Sequence, residues 1–218
     1  MKQIIKKHKF YWSQKAFLVS ALAGLIFFAL SVIINYYANL FAIEKSSNAV
    51  TDLLLNVLPV VDTNLLFFEG SLLFIAFVAG LLFKEPKAIP FTLKSVALFV
   101  VIRAGFVTLT HYGPFPDRAV MDNYDLIDSF TSSADLFFSG HTGLPYLLAL
   151  IFWRERPLRL LFLGSSIVAG VSVLLAHYHY SIDVASAFFI TFGIYHIARR
   201  LFKKDYEVFL GDVNAVDK

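Results

Sequence analysis

Long apolar stretches without a charged side chain restrict what this chain can fold into. The first of them, residues 16–42, holds no Lys, Arg, Asp or Glu. A bilayer core of about 30 Å requires about 20 helical residues with few charges, which this stretch exceeds. With 58% apolar residues, 16% charged residues and a mean hydropathy of +0.68, the composition is typical of a polytopic membrane protein. We therefore predict an all-α membrane bundle.

Six long apolar stretches with few charged residues predict six transmembrane helices. They lie within Ala16–Ala42, Asn64–Phe83 and Ser95–His111, and then run from about Gly140 to Trp153, Leu160 to Tyr180 and Ile182 to Phe202. The fourth and sixth are the least certain in length, because each includes flanking residues to reach about 20. Between five and seven spans are compatible with the sequence.

Cationic residues orient these spans, because Lys and Arg accumulate in short cytoplasmic loops. With six spans, 16 of the 19 Lys and Arg residues fall on one side; Lys45 and Arg118 lie opposite, and Arg103 lies within a span. We therefore expect both termini to be cytoplasmic. The expected organisation is a basic N-terminus at residues 1–15, one six-helix catalytic domain at 16–204 and a cytoplasmic tail at 205–218. The cations indicate topology, so no nucleic-acid partner is expected.

Ionisable groups at membrane depth are costly and tend to mark function. With six spans they collect towards the extracytoplasmic face. Glu69 follows the start of the second span by five residues and Arg103 precedes the end of the third by eight, so at about 1.5 Å per residue both lie in the outer half. The residues collected there are Glu69, Arg103, His141, His177, His179 and Asp183.

The segment DLFFSGHTG, residues 135–143, has the features of a phosphate site at a helix start. Ser139 is a candidate N-cap, and the exposed N–H groups of the first turn attract anions. Gly140 allows the backbone to approach the anion closely. His141 would then lie beside a bound phosphoryl group, where an imidazole is suited to proton transfer.

The segment HYSID, residues 179–183, pairs a histidine with an aspartate four positions later. The two side chains meet if the segment is helical, and they stay close if it is a tight turn. A carboxylate that holds one ring N–H fixes the tautomer and leaves the other nitrogen able to attack. Two histidines and an aspartate at a phosphate site suggest transfer through a phosphohistidine. A direct role of His177 remains open, because on an ideal helix it faces about 200° away from His179.

SADLFFSGHTG followed by AHYHYSIDVASAFFIT resembles the two catalytic motifs of the sphingomyelin synthase-like branch of the phosphatidic acid phosphatase type 2 (PAP2) superfamily. The shared features are an Asp six residues before the His of SGHT, and then H-x-H-Y-[ST]-[IV]-D-V followed by an aromatic pair. Weaker similarities occur in LPVVD, in the FFEG that contains Glu69 and in IRAGFVTLTHYGPFP around Arg103. The resemblance implies six spans and an external active site.

The resemblance implies that His179 is the nucleophile, that Asp183 orients it, and that His141 is the acid and base for the leaving and entering hydroxyls. Ser139, Gly140, Arg103, Glu69, Asp135 and His177 are the candidate substrate- and phosphate-binding residues. A phospholipid would donate its phospho-head group, releasing diacylglycerol, and a lipid alcohol such as ceramide would accept it. No metal or organic cofactor is implied.

The chain also departs from the patterns of both branches. The phosphatase branch has a Lys-x6-Arg-Pro motif, but here Ala149 stands at the position of the lysine, seven residues before Arg156–Pro157. That branch also has Ser-Arg before the second His, where this chain has Ser172–Val173. These missing cations count against a plain lipid phosphate phosphatase, and Arg103 is the candidate replacement. The synthase branch has Cys-Gly where this chain has Ser133–Ala134, which leaves the acceptor and the head group open.

Several alternatives remain open. The His and Asp side chains could bind zinc or manganese, although that would not explain the SGHT phosphate site. Glu69 and Arg103 could form a buried ion pair, and Asp135 could instead order the external loop. The outer aromatics Tyr112, Phe115 and Tyr124 could cradle a quaternary ammonium. Alternative functions are a phosphatase of lipid phosphates or pyrophosphates, a phospholipase C-like hydrolase and, outside enzymes, a transporter.

Overall fold

A computed structural model describes residues 2–119 and 136–211, and all regular secondary structure in these ranges is helical. The helices are α1 (Lys2–Trp12), α2 (Lys15–Lys45), α3 (Asn64–Phe67), α4 (Glu69–Lys84), α5 (Ile89–Leu109), α6 (Gly140–Ile151), α7 (Arg156–Leu175), α8 (Ser181–Leu201) and α9 (Lys203–Phe209). A 3-10 turn, Pro86–Ala88, precedes α5. The predicted all-α fold is confirmed.

Five helical segments within the described residues are long and apolar enough to cross a bilayer. They are Lys15–Lys45, Asn64–Lys84, Pro86–Leu109, Arg156–Leu175 and Ser181–Leu201. The chain is thus a multi-pass membrane protein, and these segments correspond to five of the six predicted spans. Their apolar side chains are largely exposed on the protein surface, as lipid-facing residues are in a membrane bundle.

The predicted third span begins earlier than expected, at Ile89 rather than Ser95. The charge of Lys94 caused this error, because few charges are tolerated at membrane depth. The Lys94 ammonium donates to the Asp205 carboxylate at 2.6 Å and to the Ser20 hydroxyl at 2.6 Å. A paired lysine at the helix start is compatible with continuation of α5 into the membrane.

The predicted fourth span is shorter than a membrane-crossing helix. α6 has 12 residues and is about 18 Å long at 1.5 Å per residue. Residues 147–152 are all buried, and α6 packs against α7 and α8. Because α6 is surrounded by protein rather than lipid, it does not need the length of a free-standing span, which explains why its length could not be predicted from apolar residues alone.

Both terminal segments that were predicted as tails contain helices in their described parts. α1 lies within residues 1–15, and Lys7 on this helix forms an ion pair with Glu85 at the end of α4. α9 continues from α8 and contacts α5 and the 3-10 turn. α1 and α9, which both carry lysines, therefore lie against the same 3-10 turn at one end of the bundle.

The predicted site residues lie at the other end of the bundle. There, Arg103 near the end of α5 donates from Nε to the Phe138 carbonyl oxygen at 2.7 Å, just before α6. The Ser139 N–H donates to the Asp183 carbonyl oxygen at 3.1 Å, which links the start of α6 to the start of α8. The alternation of helix direction thus brings residues distant in sequence to one place.

Candidate active site

The start of α6 has the predicted cap. Ser139 is the N-cap residue, and its hydroxyl oxygen accepts hydrogen bonds from the Thr142 N–H at 3.4 Å and the Thr142 hydroxyl at 3.1 Å. This cap satisfies one of the N–H groups that lack a partner within the helix, and the helix dipole favours an anion nearby. The Ser139 side chain is therefore used in shaping the helix start, and the candidate anion contacts come from backbone N–H groups of the first turn.

Arg103 lies directly against this helix start. A Cβ atom built on Gly140 would be 3.1 Å from Arg103 Nε, so the glycine allows the guanidinium to approach the α6 backbone. Arg103 is only 7% exposed, and the hydrogen bond from its Nε to the Phe138 carbonyl oxygen fixes the orientation of the guanidinium. A buried guanidinium beside a helix N-terminus combines two positive features at one point. This arrangement is suited to a phosphate group.

His179 and Asp183 meet as the sequence predicted. Nδ1 of His179 lies 3.4 Å from Oδ2 of Asp183, and the two residues are 5% and 0% exposed. Of the two geometries considered, the turn is the one observed, because α8 begins only at Ser181. The carboxylate holds Nδ1, so Nε2 is the ring nitrogen that can act on a substrate.

His141, in the first turn of α6, lies within electrostatic range of both His179 and Arg103. Its ring packs on Phe67 of α3, with ring centroids 4.1 Å apart and planes tilted by 32°. Phe67 in turn meets the Tyr178 ring edge-on at 5.0 Å. α3 therefore fixes the His141 ring beside the histidine and aspartate of the other motif.

The segment between α7 and α8 departs from the predicted helix, which was expected to continue to Tyr180. The Tyr178 N–H donates to Val173 O at 2.9 Å and the His177 N–H donates to Leu174 O at 3.0 Å, the two bonds of a Schellman motif. His177 takes the left-handed conformation, with φ of 56°, that glycine usually supplies at this position. A non-glycine residue there costs about 1 to 2 kcal/mol, so no local sequence signal predicted the helix end.

His177 contacts the segment that follows α5. Its Nδ1 donates to the Asp117 carbonyl oxygen at 2.6 Å, and its ring meets Phe115 edge-on at 5.2 Å. The Ala119 N–H also donates to the Ala176 carbonyl at 3.0 Å. His177 therefore joins residues 115–119 to the turn that carries His179, and its predicted contact with substrate stays a prediction.

Tyr112 is a site residue whose role the sequence did not indicate. Its hydroxyl donates to Oδ1 of Asp183. Burial raises the pKa of Tyr112, and the adjacent Asp183 carboxylate raises it further, so the phenol is protonated and acts as a donor. The predicted use of this aromatic as part of a cation cradle stays a prediction. The available signal was its location at the external end of the third span, close to Arg103.

Asp52, in the loop between α2 and α3, is a second carboxylate at the start of α8. Its Oδ2 accepts from the Ser181 N–H at 2.7 Å and the Ser181 hydroxyl at 2.8 Å, while Oδ1 accepts from Leu54 N–H at 2.9 Å and Leu55 N–H at 3.1 Å. Asp183 meanwhile accepts from the Tyr180 N–H at 2.9 Å. Two buried carboxylates therefore hold the first N–H groups of α8.

We expect Asp52 to make stability depend on acid pH. Burial alone would raise the pKa of Asp52, but hydrogen bonds from Leu55, Ser181 and Leu54 outweigh this and lower it. A carboxyl whose pKa is lowered by folding contributes stability above its unfolded pKa of about 4, and this contribution is lost as pH falls through the folded value. Asp52→Asn should therefore lower stability by about 1 to 2 kcal/mol near neutral pH.

The measurement is thermal unfolding in detergent at about pH 7 and about pH 3.5, above and below the pKa of an aspartate in the unfolded chain. The difference between the wild type and Asp52→Asn should shrink at the lower pH, because the unfolded chain then binds a proton at Asp52 more readily than the folded protein does. Asp117→Asn is the matched control, because the Asp117 side chain is exposed and only its backbone carbonyl contacts His177. A difference between wild type and Asp52→Asn that grows on acidification would contradict the assignment.

The remaining predicted residues are less closely placed. Glu69 is exposed at the start of α4, two residues after Phe67 of α3, whose ring packs against His141. Its roles in head-group binding or in pairing with Arg103 stay predictions. Asp135 and Tyr124 lie outside the described residues. Within residues 2–119 and 136–211, no three His, Asp or Glu side chains converge as a candidate metal site.

The geometry brings together His141, His179, Asp183, Gly140 and Arg103. These residues supply a candidate nucleophile with its carboxylate, a second imidazole and a positively charged binding site for an anion (the anion seat). Residues 133–200, which contain both histidine motifs, match the family model described as PAP2 superfamily C-terminal. Arg103, Glu69 and Tyr112 lie outside the matched residues. No curated protein and no solved structure gives a significant match. The family match supports a PAP2 superfamily assignment, and with it a membrane protein of the lipid phosphatase or phosphotransferase type.

Proposed function

We propose that this protein transfers a phospho-head group from a glycerophospholipid to a lipid alcohol such as ceramide, by way of a phosphohistidine at His179. The observation that carries the proposal is the buried contact between His179 Nδ1 and Asp183 Oδ2 beside the Arg103 guanidinium and the start of α6. A carboxylate-held imidazole next to an anion seat is the arrangement that nucleophilic attack on a phosphodiester requires. The cofactor-free chemistry needs only these side chains.

In the first step, Nε2 of His179 attacks the phosphorus of the donor lipid. The bond between phosphorus and the diacylglycerol oxygen breaks, and protonated His141 gives its proton to that oxygen. Asp183 keeps its hydrogen bond to the Nδ1 proton and stabilises the positive charge on the ring. Arg103 and the N–H groups at the start of α6 stabilise the phosphoryl oxygens.

In the second step, the hydroxyl of the acceptor lipid attacks the phosphorus. His141, now neutral, removes the hydroxyl proton, and the bond between phosphorus and Nε2 breaks. The products are diacylglycerol and the phospho-head-group ester of the acceptor, and both histidines return to their starting states. Water in place of the lipid alcohol would give a phospholipase C-like hydrolysis by the same steps.

The proposed topology has both termini in the cytoplasm and the site at the extracytoplasmic face, within one catalytic domain of residues 16–204. The positive-inside rule supports this orientation, since the cation-rich ends of the helices lie opposite the site. Because the chain has no cysteine, single introduced cysteines can be labelled to determine the side of the membrane on which they lie. An impermeant maleimide should label Asp117→Cys in intact cells and should label Arg200→Cys only after lysis.

The function is tested in nanodiscs that contain head-group-labelled phosphatidylcholine and phosphatidylethanolamine together with a fluorescent ceramide. We expect labelled phospho-ceramide and unlabelled diacylglycerol in equal amounts, and the label identifies the donor. Release of a water-soluble phospho-alcohol without phospho-ceramide would replace transfer by hydrolysis. If neither product forms, while lipid phosphates or isoprenoid pyrophosphates release inorganic phosphate, the protein is a phosphatase and the transfer proposal is wrong.

A further inference from the structure

We propose that Tyr112 is a positioning residue that fixes the Asp183 carboxylate and sets how strongly this carboxylate holds the His179 ring. The inference rests on the proposed phosphohistidine mechanism and extends it to a residue outside both histidine motifs. Tyr112 is 71 positions before Asp183 and follows the C-terminal end of α5. It contacts Asp183 through its hydroxyl, so it acts through the carboxylate and not on the reacting phosphorus.

The carboxylate of Asp183 is divided between three donors. Oδ2 receives the Tyr180 N–H at 2.9 Å and lies 3.4 Å from Nδ1 of His179, while Oδ1 receives the Tyr112 hydroxyl. Because Asp183 is 0% exposed, its charge is balanced by these groups and their surroundings rather than by bulk water. The strength of each donor's hydrogen bond to the carboxylate therefore affects the strength of the other two.

Tyr112 is itself held in a defined position. Its ring meets the Tyr180 ring edge-on at 5.1 Å, and the Tyr180 hydroxyl donates to the carbonyl of the next residue, Gly113, at 2.8 Å. The Gly113 N–H donates to Asn48 O at 3.0 Å, so a second external loop supports the same segment. The phenol stays protonated because burial and then the Asp183 charge raise the pKa of Tyr112. A fixed, protonated donor can orient Oδ1 throughout the reaction.

Loss of this donor should have two effects. Asp183 becomes less well oriented, which slows the attack of His179 without removing a substrate contact. The carboxylate also keeps more of its charge for the protonated His179 ring, so the neutral ring that can attack is reached only at higher pH. His141 of α6 lies within electrostatic range of both His179 and Arg103 of α5, and His141 and Arg103 are retained in the variants below.

The first test measures kcat and KM for the labelled phospholipids in nanodiscs between about pH 5 and about pH 9, spanning the usual range of histidine titration. For Tyr112→Phe we expect kcat to fall about 10-fold with KM within about 2-fold of wild type, and the acidic limb of the pH profile to move up by about one unit. Tyr195→Phe is the matched control. It removes a buried hydroxyl near the opposite end of α8, so it should lower stability without moving the acidic limb.

A second variant keeps the test decisive if Tyr112→Phe folds poorly. Replacement of Tyr112 by 3,5-difluorotyrosine makes the phenol a stronger donor with little change in shape, so the acidic limb should move to lower pH. Opposite displacements for the weaker and stronger donors support the proposal. Coincident acidic limbs in the wild type and the variant that folds would overturn it. A retained reaction in His179→Ala would instead overturn the proposed phosphohistidine, so the two failures are distinguishable.

Discussion

His179→Ala should abolish transfer, with kcat falling by more than about 10⁴-fold, because a covalent route cannot start without its nucleophile. Nε2 of His179 is the protein atom that bonds to phosphorus in the proposed mechanism. The side chain is buried, so the variant leaves a cavity next to the anion seat. The substrate contacts from Arg103 and the start of α6 remain, and we expect binding of the donor lipid to change little.

The measurement combines product formation in nanodiscs with a search for the intermediate. Wild type treated with a phosphate-labelled donor and quenched rapidly should carry an acid-labile, base-stable label, and His179→Ala should carry none. His196→Ala is the matched control, because His196 is exposed on α8 at the end remote from the site, against Phe192 and Tyr195. Transfer at the wild-type rate in His179→Ala would show that His179 is not the nucleophile.

Small imidazoles provide a complementary test of the same cavity. In His179→Gly, added imidazole should restore a measurable fraction of transfer, because the ring can occupy the vacated space and attack the same phosphorus. Asp183 would still offer its carboxylate to the imidazole N–H. The absence of rescue by imidazole, together with a folded protein that binds donor lipid, would argue that the covalent link of the ring to the backbone is required.

Asp183→Asn should reduce kcat by about 10³- to 10⁴-fold, the effect expected when an orienting carboxylate becomes an amide. The amide N–H can donate to Nδ1 of His179, which forces the ring proton onto Nε2 and occupies the lone pair that should attack. The variant also changes the cap of α8, where Asp183 accepts the Tyr180 N–H. Some loss of stability, about 1 kcal/mol, should therefore accompany the loss of turnover.

The control that separates these two effects is Asp52→Asn. Asp52 also bonds to the start of α8, through Ser181, but it has no contact with His179 among the described residues. We expect Asp52→Asn to lose comparable stability while kcat stays within about 3-fold of wild type, since the effect of a cap on distant chemistry is small. If both variants lose activity to the same extent, the role of Asp183 is structural and the orienting role is wrong.

The sequence predicted the pairing of His179 with Asp183 because four positions separate them in either geometry that was considered. It did not predict which geometry occurs. The turn depends on His177 in a left-handed conformation, stabilised by a hydrogen bond from its ring to Asp117 in another loop. A glycine at position 177 would have signalled the helix end, but a histidine gives no such signal, and the contacts that favour its left-handed conformation come from distant residues.

Other features of the site come from parts of the chain that no local pattern connects. Arg103 was predicted to reach the site from its depth in the third span, and the Phe138 carbonyl and Gly140 account for its position. Tyr112 and Asp52 bond to the second motif from 71 and 129 positions away. These contacts depend on how the loop before α3 and the segment after α5 cross the ends of α7 and α8, which apolar periodicity does not specify.

By itself, the sequence determined that the chain is a helical membrane protein, because uncharged apolar stretches of that length have few alternatives in lipid. It also determined which end carries the histidines, because spans reverse direction at each crossing. The tertiary structure decided that α6 is a short helix buried among its neighbours rather than a lipid-facing helix of about 20 residues, and that α5 extends past Lys94, which pairs with Asp205. It also decided which donors share the Asp183 carboxylate, since burial and hydrogen bonding between distant segments are set by packing and not by local composition.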